Sequence, residues 1–263
     1  MATKVKSDFI TAEGLLNFSL LHPGQAKDGQ RAGSKAYTLE LSLDPLVDAF
    51  TANNSIIDAV SRVAQANAPN PNLWQSFVFG PTGILRKLEE MPGRNPSLYG
   101  YAHGKYVLSM SKTLSLKSLK MEGADLTNPT VRAEYDRKVA EAAPKVVRFT
   151  DPANSADAQR VQEENVKRVA RGETLLDASQ RVLIPCHPSE IWDGCTVRVF
   201  GHCYWEGNIH KKVLLSFDQV LLVRQGPRLV PEASPDAVFG SFAPPSDLAP
   251  PPAGQPDPWK IAI

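Results

Sequence analysis

No run of about 18 apolar residues, the length a helix needs to cross a bilayer, occurs in these 263 residues. The beginning, MATKVKSDFI, also lacks the basic-then-apolar layout of a secretory signal. The expectation is an intracellular protein without membrane association. Cysteine is scarce. Cys186, Cys195 and Cys203 are odd in number and crowded together, which argues against a secreted disulfide scaffold and for reduced thiols. An excess of one charge is missing too: 29 basic and 28 acidic side chains leave a formal net charge of +1, so any surface for nucleic acid has to be local. Catalytic patterns are absent. There is no phosphate-cradling glycine loop, no Gly-x-Ser-x-Gly elbow, no His-Glu-x-x-His and no carboxylate cluster for two metal ions. Glu89-Glu90 and Glu163-Glu164 are adjacent pairs whose side chains diverge on a helix or a strand, so they read as solvated charges. Neither an enzymatic step nor a cofactor is expected.

What is present is a chain with 42% hydrophobic residues, enough for a core, and a succession of strand signals. Lys4 to about Leu21 reads as a strand ending at the His22-Pro23-Gly24 breaker, with a polar loop to Ser34. Tyr37, Leu39, Leu41 and Leu43 alternate with Thr38, Glu40 and Ser42, the period of a half-buried strand. Asp44 before Pro45 reads as a helix start, and Leu46, Phe50, Ile57, Val60 and Ala64 follow at helical spacing to about Ala66. The aromatic stretch from Tyr99 to Met110 reads as a curved strand carrying glycines. Asn128 to Ala143 and Ala156 to Arg171 read as helices flanking a strand-like Val146 to Phe149. Strand character returns at Val182 to Ile184, Thr196 to Trp205 and Val213 to Arg224, the last two joined at Glu206-Gly207-Asn208 as a hairpin. Residues 231–263 hold nine of the 22 prolines and read as a disordered tail.

These elements predict a mainly β fold: a small β-barrel over residues 1–230, with an inter-strand helix, a helical insertion at about 115–180, and the tail. On the Thr196 strand the pleat sends Val197, Val199, Gly201, Cys203 and Trp205 to one side and Arg198, Phe200, His202 and Tyr204 to the other. The second set joins a cation to rings, the combination that single-stranded nucleic acid uses: phosphates meet positive charge and unstacked bases lie on aromatic faces. The same split groups Tyr99, Tyr101, His103 and Lys105, and Lys112, Lys211 and Lys212 lie in or beside these strands. The two strands are expected to be neighbours sharing one basic, aromatic platform. A plainer reading puts the same aromatics in a barrel interior, because alternation tells which residues share a face but not which face is wet.

Cys186, His187, Cys195, His202, Cys203 and His210 supply zinc-ligand chemistry within a short span. Their spacing departs from the paired knuckles of structural zinc sites, and adjacent Cys-His pairs point to opposite sides of an extended chain. A metal is therefore not expected, and a zinc-stabilised nucleic-acid module or enzyme stands as the alternative. A second alternative is an assembly protein that makes only protein contacts. In the tail, acidic residues precede an apolar end whose Trp259, Ile261 and Ile263 are candidate anchors for a protein partner.

Pro188-Ser-Glu-Ile-Trp-Asp-Gly-Cys195, then Val197-Arg-Val-Phe-Gly-His-Cys-Tyr204, then Lys211 to Gly226 with Gln219 in its strand, resemble the C-terminal half of a tailed-phage family of OB-fold single-stranded DNA-binding proteins. The family pattern there is an acid, x, Tyr or Trp, x, Gly, Cys turn before an aromatic-rich strand. Lys4 to Phe18, Ala36 to Leu43, the helix after Asp44 and Tyr99 to Lys112 resemble its earlier elements. The segment from about Leu114 to Gln180 is longer than the family pattern, and the tail is proline-rich where relatives are acidic. The resemblance implies that the barrel is an OB-type five-stranded open β-barrel, and that the protein is non-enzymatic and coats and protects single-stranded DNA, tolerant of sequence, during phage DNA replication or recombination. It also implies action in the cytoplasm of an infected bacterial host and a tail that engages a phage polymerase, helicase or recombinase.

Overall fold

The computed structural model describes residues 6–25, 35–44, 55–68, 70, 74–79, 83–91, 104–207 and 211–229. The expected tail, with Trp259, Ile261 and Ile263, lies outside them. Nine strands among the described residues form one sheet: β1 (Lys6–Ile10), β2 (Gly14–Gln25), β3 (Lys35–Leu43), β4 (Leu85–Lys87), β5 (Tyr106–Leu114), β6 (Lys145–Phe149), β7 (Leu183–Pro185), β8 (Thr196–Glu206) and β9 (Lys212–Arg224). Four α-helices accompany them: α1 (Ile56–Asn67), α2 (Trp74–Val78), α3 (Pro129–Glu141) and α4 (Ser155–Arg171). The sheet runs β4-β5-β3-β2-β8-β9-β6-β7, with β1 paired to β8 beside the start of β2. It is open and has nine strands where a five-stranded barrel was expected.

The first expected strand is two strands. The chain bends at residues 11–13, and the buried Thr11 spans the bend: its backbone amide donates to the Val199 carbonyl at 2.9 Å and its hydroxyl accepts from the Val199 amide at 2.9 Å. His22-Pro23-Gly24 does not end the strand either. β2 runs on to Gln25 with a register shift of two residues between Leu20 and Gly24, because a bulge absorbs unpaired residues without breaking the ladder.

In β3 the alternating Tyr37, Leu39, Leu41 and Leu43 are buried as expected, but Glu40 and Ser42 on the other face are buried as well, so this stretch is not half-buried. Helix α1 starts later than Asp44: Ser55 caps it, accepting from the Asp58 amide at 3.3 Å. Leu46 and Phe50 fall outside the described residues. Ile56, Ala59, Val60, Val63 and Ala64 form its buried stripe, at the spacing of one helix face. Both helices expected in the insertion are present, capped by Asn128 and Asn154. Glu164, expected to be solvated, is buried and accepts from Arg171 Nη2 at 2.9 Å.

The hairpin of β8 and β9 is the longest ladder. Glu206 pairs with Lys212, so residues 207–211 connect the strands where a tighter turn was expected. At Gly201 an added Cβ would lie 2.2 Å from the Ser216 carbonyl oxygen and 3.0 Å from the Phe9 ring, so only a bare backbone lets these pieces meet. β6, in the insertion, joins the far side of β9 in parallel, pairing Lys145 with Gln219 through Arg148 with Leu222. β7 then pairs antiparallel with β6.

The insertion is pinned by ions. Arg148 donates through Nη1 to Asp157 Oδ2 at 2.9 Å, through Nη2 to Asp157 Oδ1, and through Nε to Glu190 Oε1 at 2.9 Å. Arg160 of α4 holds both oxygens of Glu190 at 2.8 and 2.9 Å and the Pro185 carbonyl at 2.7 Å. One network thereby joins β6, α4, β7 and the turn Pro188–Glu190.

Candidate nucleic-acid interface

On β8 the pleat divides as expected: Val197, Val199, Gly201, Cys203 and Trp205 are buried, whereas Arg198 and Phe200 are exposed and His202 and Tyr204 are half-buried. The outward set is not uniform along the strand. Phe200, 39% exposed, pairs with the exposed Ile10 of β1 on one side and Gln219 of β9 on the other. Arg198 pairs with Leu221, which pairs with Val147 of β6. These residues and Leu183 line an open hollow of about 210 Å³, mostly apolar, with the Arg198 guanidinium as its one charge among the described residues.

Two positions further along, the same face is occupied differently. His202 Nδ1 lies 3.0 Å from Asp218 Oδ2, and Lys112 Nζ donates to Asp218 Oδ1 at 2.7 Å. Burial, the largest single effect, acts to raise the Asp218 carboxyl, but the hydrogen bonds and charge attraction of Lys112 and His202 together hold the group below its usual range. Asp8 of β1 is also the register partner of His202. Tyr204, its ring 6.1 Å from the His202 ring, pairs with Lys6 and Leu214.

The expected second strand of the platform is placed elsewhere. β5 begins at Tyr106, after a turn in which Gly104 has φ 72°, and Lys105 belongs to that turn. Tyr99, Tyr101 and His103 lie outside the described residues. β5 pairs with β3 and β4, so it is not a ladder neighbour of β8. Lys112 pairs with Tyr37, on the inward side of β3, and its side chain reaches Asp218 across the gap between β5 and β9. Lys211, with φ 45°, and Lys212 are exposed at the far end of the hairpin, where Lys212 lines a separate cleft of about 440 Å³ with Arg86.

Burial pushes the Cys186 and Cys203 thiols up to about 12, and among the described residues no three His, Cys, Asp or Glu side chains gather as a metal site. His210 is outside those residues.

The family-like turn proves to be structural. Glu190 closes the ion network, Trp192 Nε1 donates to the Gly226 carbonyl at 2.9 Å, and Cys195 is buried. Gly194 has φ 111°, and an added Cβ would lie 1.9 Å from the Pro227 carbonyl oxygen. The motif locks the start of β8 against the end of β9, which fixes the register that exposes Arg198 and Phe200.

In solved structures this chain is similar to a phage single-stranded DNA-binding protein. Over 85% of this chain and 90% of the other it matches the single-stranded DNA-binding protein from bacteriophage Enc34 in complex with ssDNA, at 13% identity and a TM-score of 0.45. A further structure of the single-stranded DNA-binding protein from bacteriophage Enc34 matches over 88% of each chain, at 11% identity and a TM-score of 0.42. At this identity the likeness assigns no residue a role. No family model and no curated protein matches the sequence.

Sequence reasoning missed the flank of the hollow: Ile10, Val147, Leu183 and Leu221. Val147 lay within a strand recognised as such, but its pairing with β9 is parallel and joins segments far apart in sequence, which alternation does not reveal.

Proposed function

We propose that the chain binds single-stranded DNA on the outward face of β1, β8, β9 and β6, with Phe200 as a base-stacking ring and Arg198 as a phosphate contact. The observation that carries the reading is the exposed Phe200 beside Arg198 in an apolar hollow, on a strand whose other face is core. A ring with an adjacent guanidinium is what stacking and charge neutralisation require of a single strand. Every base offers a face to stack, so binding is tolerant of sequence. The role needs no covalent step, and the protein acts as a non-enzymatic factor.

In the same reading β1 with β2, β3, β5, β8 and β9 are the strands of an OB-type barrel, its seam bridged by Lys112 and Asp218, and β4, β6 and β7 are additions. The place of action, phage DNA replication or recombination in an infected bacterial cell, is carried by the sequence resemblance alone. So is recruitment of a replication partner by residues 231–263.

The testing experiment is a fluorescence titration with labelled oligo-dT and with duplex DNA at two salt concentrations. The expected result is tighter binding of the single strand, with log affinity falling against log salt by about 0.7 for each phosphate neutralised. Equal affinity for duplex, or binding indifferent to salt, contradicts the proposal.

A further inference from the structure

Among the described residues, nine large apolar side chains are exposed, and five of them, Ile10, Phe149, Leu183, Phe200 and Val223, belong to β1, β8, β9 and the inserted strands β6 and β7. Such concentration on one face marks a contact surface, whereas single exposed apolar residues need no explanation. The ladders set the geometry. Lys145, Val147 and Phe149 alternate along β6 on the side shared with Gln219 and Leu221, hence with Phe200 and Arg198. Phe149 pairs with Leu183 of β7, which also lines the Phe200 hollow. From Phe200, Phe149 is two strands across and four residues along, a separation on the order of 16 Å by strand spacing and rise.

Phe149 repeats the chemistry of Phe200. It is 39% exposed, and the Arg181 guanidinium lies over its ring at 4.6 Å from the centroid. Beyond it opens a hollow of about 570 Å³ whose lining includes Phe149, Arg181, Val223 and Arg224. Acids line it as well. Asp157 and Glu190 are held by Arg148 and Arg160, which leaves Arg181, Arg224 and Asp151 as the other charged residues of the lining. Among the described residues neither of these two arginines forms an ion pair.

We propose that the insertion and the end of β9 together form a second base-stacking station for the same single strand, with Phe149 as its ring and Arg181 and Arg224 as its phosphate contacts. This rests on the single-strand reading above and extends it: the inserted strands lengthen the track beyond the hairpin. The cations at both ends fit a polyanion, which selects nucleic acid over an apolar protein segment as the occupant.

The test measures binding of short and long oligo-dT, about 4 and about 16 nucleotides, by wild type, Phe149→Ala, Arg181→Gln and Phe200→Ala. Circular dichroism and thermal melting control for folding, and Arg181, an exposed side chain stacked only on the Phe149 ring among the described aromatics, supplies a variant that opens no core cavity. Phe149→Ala and Arg181→Gln are expected to weaken the long oligonucleotide roughly tenfold and roughly fivefold while leaving the short one unchanged, whereas Phe200→Ala weakens both. If Phe149→Ala and Arg181→Gln bind the long strand like wild type while Phe200→Ala does not, the second station is wrong and the single-strand reading stands. If wild type binds neither length, the reading itself fails and the station with it. A dimer in sedimentation that Phe149→Ala abolishes would make the patch an interface between copies and overturn the inference.

Discussion

Phe200→Ala is expected to lower affinity for oligo-dT roughly tenfold, the loss of one base-aromatic stack, and to leave the melting temperature almost unchanged. The two outcomes separate because the Phe200 ring is already 39% exposed, so its removal opens no core cavity, and surface substitutions away from special features cost about 0.5 kcal/mol or less. The opposite face of the same strand would behave otherwise: Val199 and Cys203 are fully buried. Arg198→Gln is expected to weaken binding less at high salt than at low salt and to reduce the salt slope by about one phosphate contact. Fluorescence anisotropy at several salt concentrations reads both. A Phe200→Ala protein that binds like wild type would remove the ring from the mechanism.

The second large effect concerns stability. Arg148→Ala is expected to destabilise the fold by about 3 to 5 kcal/mol, because it strands a buried carboxylate. Asp157 has a side-chain exposure of 6% and Arg148 one of 17%; without the guanidinium, Asp157 keeps the Asp151 amide at 2.8 Å but no charge partner on β6. Urea melts measure the loss, and amide exchange should show Lys145–Phe149 opening first. The same pair sets an acid limit. The hydrogen bonds from Arg148 lead the effects that hold the Asp157 carboxyl down at about 2, against a desolvation penalty that acts the other way. A carboxylate lowered in the folded state contributes stability above its unfolded value and loses it as pH falls through the folded one. Stability is therefore expected to decline between about pH 4 and about pH 2 by roughly 2 kcal/mol from this group. Asp157→Asn should lack that component; an unchanged acid profile in the variant would contradict the assignment.

Much of the fold was legible because its signals are local. The β8 and β9 hairpin announces itself by alternation, α3 and α4 by their spacing, and the core face of β8 by Val197, Val199, Cys203 and Trp205. The same pleat groups Arg198 with Phe200, but that their face is the wet one shows only in the burial of Val197, Val199 and Cys203 opposite. What escaped depends on contacts far apart in the chain. Nothing near Lys145 tells that β6 docks in parallel on β9, yet that docking brings Val147 to Phe200 and places Phe149 on the same face. Nothing near Lys112 or His202 tells that Asp218 holds both. Thr11 bends a segment whose composition reads as one continuous strand, because the bend is stabilised by Val199, almost the whole chain away.

The central claim, that the outward face of β8 and its neighbours holds the single strand, is tested most directly by photo-crosslinking an iodouracil-substituted oligonucleotide to the full chain and locating the adducts by mass spectrometry. Adducts in the peptide containing Phe200 are the predicted result. Adducts confined to Ser109–Leu114 or to Thr38–Ser42, across the sheet, would place the nucleic acid elsewhere and contradict it.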